Sequence, residues 1–220
     1  MRFDAILFDF DGVLLESEYA GNRHLAEYLT GLGHPTTPAD AMANFMGLSG
    51  ADFLGAIERH IGRAIPDDFH AARAVEDARV LREGLDEVTG AVAFVRSLPA
   101  DLPRAIASSS STRWIRAHLE HLGIADVFGG HVYSGREHVR RGKPAPDLYL
   151  YAAAQLGVPI ERTVIIEDSP VGATGAVASG AHVIGLCAGS HCPPDHATTL
   201  RAIGVRDIAA DFDDVARVLG

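Results

Sequence analysis

The sequence has little of what a secreted or membrane protein uses. Its 220 residues include only two cysteines, Cys187 and Cys192, too few for a disulfide framework and consistent with a reducing compartment. No stretch approaches the roughly 20 consecutive apolar residues of a membrane-spanning helix. No basic segment followed by an apolar one marks a secretory leader. We therefore expect an unanchored, cytoplasmic protein without a membrane partner.

Positive charge is also scarce. Nineteen lysines and arginines face 29 aspartates and glutamates, which gives a formal net charge of −10. A phosphate backbone needs a basic surface, so this balance argues against a nucleic-acid partner. A small phosphorylated ligand needs only a few local cations or a bound metal, and it stays possible. A monomer is the simplest expectation.

Short apolar runs alternate with amphipathic stretches in much of the chain. The runs predict strands of a parallel sheet that is covered on both faces; they are residues 5–8, 104–107, 131–133, 163–166 and 182–186. The stretches predict helices at residues 112–122, 147–156 and 171–179. This alternation predicts a doubly wound α/β fold, in which ligands bind beyond the carboxyl ends of the strands.

The first two predicted strands are unusually far apart. The intervening chain predicts four helices, at residues 19–32, 38–45, 51–61 and 67–82. A crossover usually contains one helix, so we predict a catalytic core of residues 1–14 and 88–220 with a helical cap of residues 15–87. Linkers near residues 14–16 and 84–88 would join them. The alternative is that these helices belong to the core.

Two aspartates follow the first predicted strand. Asp9 and Asp11 lie on one face of the pleat by period two, beside Gly12. Carboxylates this close disfavour each other unless a cation or a proton lies between them, and Mg²⁺ is the usual hard cation beside phosphate. A solvated turn is an equally good interpretation of this motif alone.

A second acidic pair, Glu167 and Asp168, ends the fourth predicted strand. Ser169 and Pro170, which follow it, are typical of a helix N-terminus. Capping explains the serine and the proline but not two carboxylates at the end of a buried strand. One shared metal ion would explain both acidic pairs.

Two further residues, one at a strand end and one in a loop, have side chains that can bind a phosphoryl group. Ser108 ends the second predicted strand, where a hydroxyl and the N–H groups of the next helix can hold a phosphoryl oxygen. Lys143, in a turn-rich segment before Pro144, would neutralise a carboxylate and a phosphate. Taken alone, helix capping explains Ser108 better, and a surface position explains Lys143 better. Together the four sites are far more specific than any one of them.

The four motifs, in this order, resemble those of the haloacid dehalogenase-like hydrolases, in the subfamily of sugar phosphatases and β-phosphoglucomutase. The motifs are residues 9–14, Ser108, residues 142–147 and residues 166–169. The helical insertion also matches this subfamily's cap. The resemblance covers nearly the whole chain and implies a Rossmann-like core with an inserted helical cap.

The resemblance also implies a mechanism. Asp9 would attack phosphorus to form an aspartyl-phosphate, and Asp11 would protonate the leaving alcohol and then activate water. Ser108 and Lys143 would hold the transferring phosphoryl oxygens, and Ser109 is a further candidate for substrate binding.

The same resemblance implies Mg²⁺ as the cofactor. Its ligands would be a carboxylate oxygen of Asp9, the backbone carbonyl of Asp11, and Asp168. Glu167 would lie nearby or bind through water. An acid–base role of Asp11 argues against dehalogenation, because a halide leaving group needs no proton.

The cap residues favour a phosphatase over a mutase. In the mutase a cap histidine assists acid–base chemistry and a cap arginine binds a second phosphate. The corresponding positions fall at Gly21 and, within residues 46–50, at Gly50. Candidate contacts to a sugar or acid substrate are Asn22, Arg23 and His24, although an exposed helix arginine is the simpler interpretation of Arg23.

Three functions therefore stay open at this point. The first is a phosphatase of a small metabolite such as a sugar phosphate or a sugar-acid phosphate. The second is a phosphosugar mutase. The third is a phospho-accepting signalling module like a response-regulator receiver, which is about half this length and lacks a helical cap.

One cluster outside these motifs has the residue types of a zinc site. Cys187, His191, Cys192 and His196 lie close together in the sequence, but their spacing matches no usual zinc pattern. We predict a structural loop there.

Overall fold

The computed structural model describes residues 3–46, 48 and 50–220. The chain forms two compact units. The larger comprises the chain up to Glu16 together with Asp86–Gly220, and the smaller is Ser17–Leu85. These bounds lie within two residues of the predicted division at 15 and 87. That the smaller unit acts as a cap stays a prediction.

The smaller unit is a helical bundle with its own apolar core. Its helices are α1 (Ser17–Gly31), α2 (Pro38–Phe45), α3 (Gly50–Ile61) and α4 (Phe69–Glu83). A capping box begins α2, because Thr37 Oγ1 accepts from the N–H of Asp40 and the Asp40 carboxylate accepts from the N–H of Thr37. Buried side chains from all four helices form the core, among them Leu29, Phe45, Ile57 and Phe69. Gly47 and Ser49, in the run 46–50, lie outside the described residues.

The larger unit contains a parallel sheet of six strands, which confirms the predicted fold class. The order across the sheet is β3-β2-β1-β4-β5-β6. The strands are β1 (Ala5–Phe8), β2 (Arg104–Ser108), β3 (Val132–Ser134), β4 (Thr163–Glu167), β5 (His182–Leu186) and β6 (Asp207–Ala209). Phe8 of β1 is in register with Ile106 of β2 and Ile166 of β4. The residues that follow these three strands therefore meet at one edge.

Helices pack around this sheet. They are α5 (Ala91–Ser97), α6 (Thr112–His121), α7 (Ala125–Phe128), α8 (Asp147–Leu156), α9 (Pro170–Ser179), α10 (His196–Ile203) and α11 (Phe212–Leu219), with a 3₁₀ turn at Ile160–Arg162. All four residues of β1 are fully buried, as expected of an apolar central strand. No helix among the described residues is long and apolar enough to cross a membrane.

The sequence patterns did not predict β6, α5, α7, α10 or α11. Strand β6 is three residues long and lies at the edge of the sheet, and only Ala209 of it is buried. A short edge strand needs no apolar run, so its composition resembles that of a loop.

The two predicted linkers pair with each other through residues of the larger unit. The N–H of Glu16 donates to Asp86 O at 3.0 Å, and the N–H of Val88 donates to Leu14 O at 3.1 Å. Before this pairing the chain makes a tight turn, in which Phe10 O accepts from the N–H groups of both Leu14 and Leu15. These bonds close the turn directly after Asp9.

Candidate active site

Asp9 lies at the carboxyl end of the central strand and is almost fully buried, with 6% of its surface exposed. Its N–H donates to Ile166 O at 3.0 Å, which continues the pairing of β1 with β4. Burial is the main reason that the pKa of Asp9 lies well above its usual range, and the charge of Glu167 raises it further.

Lys143 bridges two of the acidic groups. Its Nζ lies 2.7 Å from Asp9 Oδ1 and 2.6 Å from Glu167 Oε1, and its side chain is 3% exposed. Burial alone would lower the pKa of Lys143, but the charges of Asp9 and Glu167 outweigh burial and raise it. The lysine is therefore a buried, charged ammonium rather than the surface residue that its sequence context suggested.

Glu167 is held from several sides. Its Oε1 accepts from Tyr149 OH at 2.7 Å as well as from Lys143, and its Oε2 accepts from the N–H and hydroxyl of Ser169 at 2.9 and 3.0 Å. Each oxygen thus has two donors from the protein. This arrangement suits Glu167 to fixing the ammonium of Lys143 more than to binding a metal ion directly.

Asp11 accepts from three donors, which lie at the end of β2 and in the segment that follows it. Trp114 Nε1 donates to its Oδ1 at 3.1 Å, and the hydroxyls of Ser110 and Ser108 donate to its Oδ2 at 2.6 and 3.2 Å. Asp11 therefore lies beside Ser108, as the common strand edge predicted. No pattern in the sequence indicated the Trp114 contact.

The consecutive serines at positions 108–111 differ in burial and in hydrogen bonding. Ser111 caps α6, since its hydroxyl accepts from the N–H of Trp114. Ser108 is 1% exposed, and its hydroxyl accepts from the N–H of Ser110 at 3.0 Å. Ser109 is exposed. Because the cap is Ser111, capping does not account for Ser108.

Asp168 lies between the other buried carboxylates and the loop after β5. Its side chain is 2% exposed, and its Oδ2 lies 2.8 Å from His191 Nε2. Its backbone oxygen accepts from His196 Nε2. The loop that was predicted to be purely structural therefore contacts a predicted metal ligand.

A hard cation fits this arrangement. Asp9, Glu167 and Asp168 each offer a carboxylate oxygen, and these three atoms lie within 4.8 Å of one another. Three buried carboxylates against one lysine leave an excess of negative charge, which the raised pKa of Asp9 reflects. Oxygen donors with excess negative charge are what Mg²⁺ binds. Among the described residues this is the one such group of three or more potential ligands.

The chain matches a known protein family over most of its length. The sequence profile of the haloacid dehalogenase-like hydrolases matches residues 3–180. The chain belongs to this family. The resemblance predicted from the motifs is thereby confirmed.

Two similar proteins bear the names of phosphatases. This chain is 32% identical to hexitol phosphatase A of Escherichia coli (strain K12) over 199 residues, which cover 88% of this chain and 87% of the relative. It is 27% identical to 6-phosphogluconate phosphatase of the same organism, covering 88% and 86%. The prediction of a phosphoric monoester hydrolase is confirmed by these relatives.

Solved structures of the family extend the comparison. A hydrolase from Deinococcus radiodurans R1, crystallised with bound phosphate and sodium, matches with a TM-score of 0.89 and 33% identity over 99% of this chain and 95% of that one. A putative β-phosphoglucomutase from Thermotoga maritima matches with a TM-score of 0.72 and 26% identity, covering 98% of each chain.

Candidate substrate residues of this hydrolase lie on α1. The amide of Asn22 is buried and donates to Glu18 O at 2.8 Å, so it is used within its own helix. The side chain of Arg23 is 51% exposed and lies 3.8 Å from Glu27. His24 lies 3.8 Å from Glu76 of α4. Contact of these residues with substrate stays a prediction.

The cluster of Cys187, His191, Cys192 and His196 does not have the properties of a zinc site. Cys187 and Cys192 are free thiols. Burial and the charge of Asp168 raise the pKa of Cys192 to about 12, so the thiolate that zinc requires is disfavoured. The cluster is also not among the candidate ligand groups of the described residues.

Proposed function

We propose that this chain is a Mg²⁺-dependent phosphatase that hydrolyses small phosphorylated sugars or sugar acids through an aspartyl-phosphate on Asp9. The observation that carries the proposal is the buried contact between Asp9 and Lys143 beside Asp168, at the strand edge where ligands bind in this fold. Such a site combines a nucleophile, a fixed cation and excess negative charge for a metal ion.

Asp9 and Asp168 would hold Mg²⁺, with the backbone carbonyl of Asp11 as a third ligand. Glu167 would act through water or through Lys143, because both of its oxygens already accept from protein donors. When bound, Mg²⁺ supplies positive charge that offsets the charge of the phosphoryl group and of the carboxylates.

In the first half-reaction a carboxylate oxygen of Asp9 attacks phosphorus. The bond from phosphorus to the ester oxygen breaks while the bond to Asp9 forms, and Asp11 gives its proton to the leaving alcohol. The ammonium of Lys143 and the hydroxyl of Ser108 hold phosphoryl oxygens during the transfer. Ser108 would exchange its 3.2 Å contact with Asp11 for one with the phosphoryl group.

In the second half-reaction water attacks the phosphorus of the aspartyl-phosphate. Asp11 takes the proton from the water, the bond between phosphorus and Asp9 breaks, and inorganic phosphate leaves. The Asp9 carboxylate is regenerated. One residue thus serves as acid and then as base, which requires that it stay in place between the two steps.

The substrate class is supported by the names of the relatives, which are phosphatases of a hexitol phosphate and of 6-phosphogluconate. Ser109 and Arg23 are exposed candidates for contacts with the sugar part, and Asn22 is a weaker one because its amide is already bonded. Two free cysteines agree with a reducing cytoplasm. A monomer is the oligomeric state that we expect from gel filtration.

A substrate panel tests this function. Phosphate release is measured with Mg²⁺ from phosphorylated hexitols, aldoses, ketoses and sugar acids, with EDTA and with Asp9→Asn as controls. We expect turnover of at least one member of the panel, lost in both controls. Turnover that persists in EDTA would contradict the metal, and turnover by Asp9→Asn would contradict the nucleophile.

A phosphosugar mutase is the second candidate, favoured by the likeness to the putative β-phosphoglucomutase. Glycines at positions 21 and 50 argue against it, because neither provides the imidazole or the guanidinium of the mutase. The products of a sugar phosphate distinguish the two: a phosphatase releases inorganic phosphate, whereas a mutase accumulates the isomeric sugar phosphate.

A further inference from the structure

The loop between β5 and α10 brings two buried histidines to Asp168. His191 and His196 are each 6% exposed. His191 Nε2 lies 2.8 Å from Asp168 Oδ2, and His196 Nε2 lies at hydrogen-bonding distance from the backbone oxygen of the same residue. Because a carboxylate and a carbonyl only accept, each ring must carry its proton on Nε2. Asp168 is thus held by its side chain and by its backbone.

Two glycines from different loops make room for the His191 ring. Gly12 has φ +80°, and a Cβ there would overlap Asp168 Oδ2 and lie 2.9 Å from His191 Cε1. A Cβ on Gly189 would lie 2.6 Å from His191 Nδ1. Any side chain at either position would displace the imidazole. The turn after Asp9 and the loop after β5 are therefore both shaped around this ring.

The loop is also tied to the segment that follows the nucleophile. The N–H and the hydroxyl of Ser190 donate to Glu16 Oε1 at 3.0 and 2.9 Å. Within the loop the N–H of Cys192 donates to Gly189 O at 3.0 Å. These bonds fix the backbone on both sides of His191.

We propose that His191 is a positioning residue of the metal site, which holds the carboxylate of Asp168 in the orientation that the metal ion needs. The proposal rests on the proposed function, in which Asp168 is a Mg²⁺ ligand. A carboxylate on a freely rotating side chain loses entropy on binding a metal ion, and a fixed donor removes part of that cost. The loop singled out by its cysteines and histidines thus belongs to the active site.

The test compares His191→Leu, which removes the donor, with His191→Gln, whose amide N–H can replace Nε2. Mg²⁺ affinity of the substrate-free protein is measured by calorimetry, so the result does not depend on turnover. We expect His191→Leu to bind Mg²⁺ about 10- to 100-fold more weakly than the wild type. His191→Gln should recover most of the affinity. His121→Leu, at the exposed end of α6, should bind as the wild type does.

The outcomes separate this inference from the proposed function. Wild-type protein that folds but binds no Mg²⁺ would overturn the metal site and the role of His191 with it. Wild-type affinity in His191→Leu would overturn the role of His191 alone. If His191→Leu does not fold, His191→Phe replaces it, because phenylalanine keeps a ring but has no donor: affinity lower by about 10- to 100-fold supports the positioning role, and wild-type affinity overturns it.

Discussion

The ammonium of Lys143 lies 2.7 Å from a carboxylate oxygen of Asp9, and both side chains are shielded from water. Glu167 accepts from the same ammonium at 2.6 Å and is fixed in turn by Tyr149 and Ser169. The cation therefore has one position, next to the group that we propose as nucleophile. A phosphoryl group that reaches Asp9 meets a positive charge that needs no rearrangement.

Lys143→Met should damage both folding and catalysis. The substitution leaves the buried carboxylates of Asp9 and Glu167 without their shared cation, and buried charges left unpaired in this way cost about 3–5 kcal/mol in the free energy of unfolding. Phosphate release should fall at least about 100-fold, because the transferring group loses its fixed cation. Denaturant unfolding in EDTA and steady-state kinetics measure the two effects.

Arg141→Met is the matched control for this change. Arg141 is two positions away, is 70% exposed, and pairs with Asp147 at the surface. Arg141→Met should change the free energy of unfolding and the rate of phosphate release only slightly. Equal losses of stability and of activity in the two variants would show that Lys143 has no special role.

Asp11→Asn should discriminate between leaving groups. An alkyl alcohol needs a proton as it leaves, whereas a nitrophenol scarcely does, so kcat/KM should fall by about 10²–10⁴-fold more for a sugar phosphate than for p-nitrophenyl phosphate. Asp126→Asn, at an exposed aspartate, should leave the ratio unchanged. A uniform loss on both substrates would argue that Asp11 serves only to bind.

Asp9→Asn should stabilise the metal-free protein at neutral pH while it abolishes turnover. The pKa of Asp9 is raised in the folded state, mainly by burial and then by Glu167, so the folded chain binds this proton more readily than the unfolded chain. The wild type therefore loses stability as pH rises above the usual aspartate pKa, and this loss ends once pH exceeds the raised pKa of the folded state. Melting temperatures in EDTA across a pH series measure the effect.

The difference in melting temperature between Asp9→Asn and the wild type should shrink as pH falls, since the wild-type carboxyl then becomes neutral as well. It should also shrink when Mg²⁺ is added. Asp4→Asn is a control that should lower the melting temperature at neutral pH instead of raising it. The reason is that a hydrogen bond from Arg162 lowers the pKa of Asp4 and so stabilises its charged form in the folded state. A variant Asp9→Asn that melts below the wild type at neutral pH in EDTA would refute this account of the buried charge.

Gly172→Ala should be destabilising, because the added Cβ would overlap the carboxylate of Glu167. We expect a loss of about 1–3 kcal/mol in the free energy of unfolding, with slower phosphate release as Lys143 loses its support. The same substitution at Gly21, in the interior of α1 with nothing within 4 Å, should instead stabilise by about 0.5–1 kcal/mol. Chemical unfolding of both variants measures the contrast, and equal effects would contradict the packing argument.

The sequence predicted those parts of the site that follow from the end of a strand. Asp9, Ser108 and Asp168 come directly after or at the end of central strands, and parallel pairing in register brings such residues to one edge. Lys143 lies in a loop, and only its combination with the other motifs made it a candidate.

The supporting contacts depend on how helices and loops pack, which no local pattern determines. Trp114 is 103 positions from Asp11, and nothing in its surroundings marks the indole as a donor. Tyr149 is an ordinary aromatic residue of an amphipathic helix until its hydroxyl is seen on Glu167. His191 did stand out, within a cluster of cysteine and histidine. Zinc spacing could not reveal its role, because its partner is an aspartate that follows another strand.

The central claim is that phosphate passes through Asp9, and chemical trapping of that intermediate tests it most directly. The enzyme is quenched during turnover of a phosphorylated sugar with Mg²⁺ and treated with borohydride, which reduces an aspartyl-phosphate to homoserine. Peptide mass spectrometry then locates the change. We predict homoserine at position 9 in the wild type, absent without substrate and absent in Asp9→Asn. Homoserine at another aspartate, or turnover with no reduced residue in any sample, would contradict the claim.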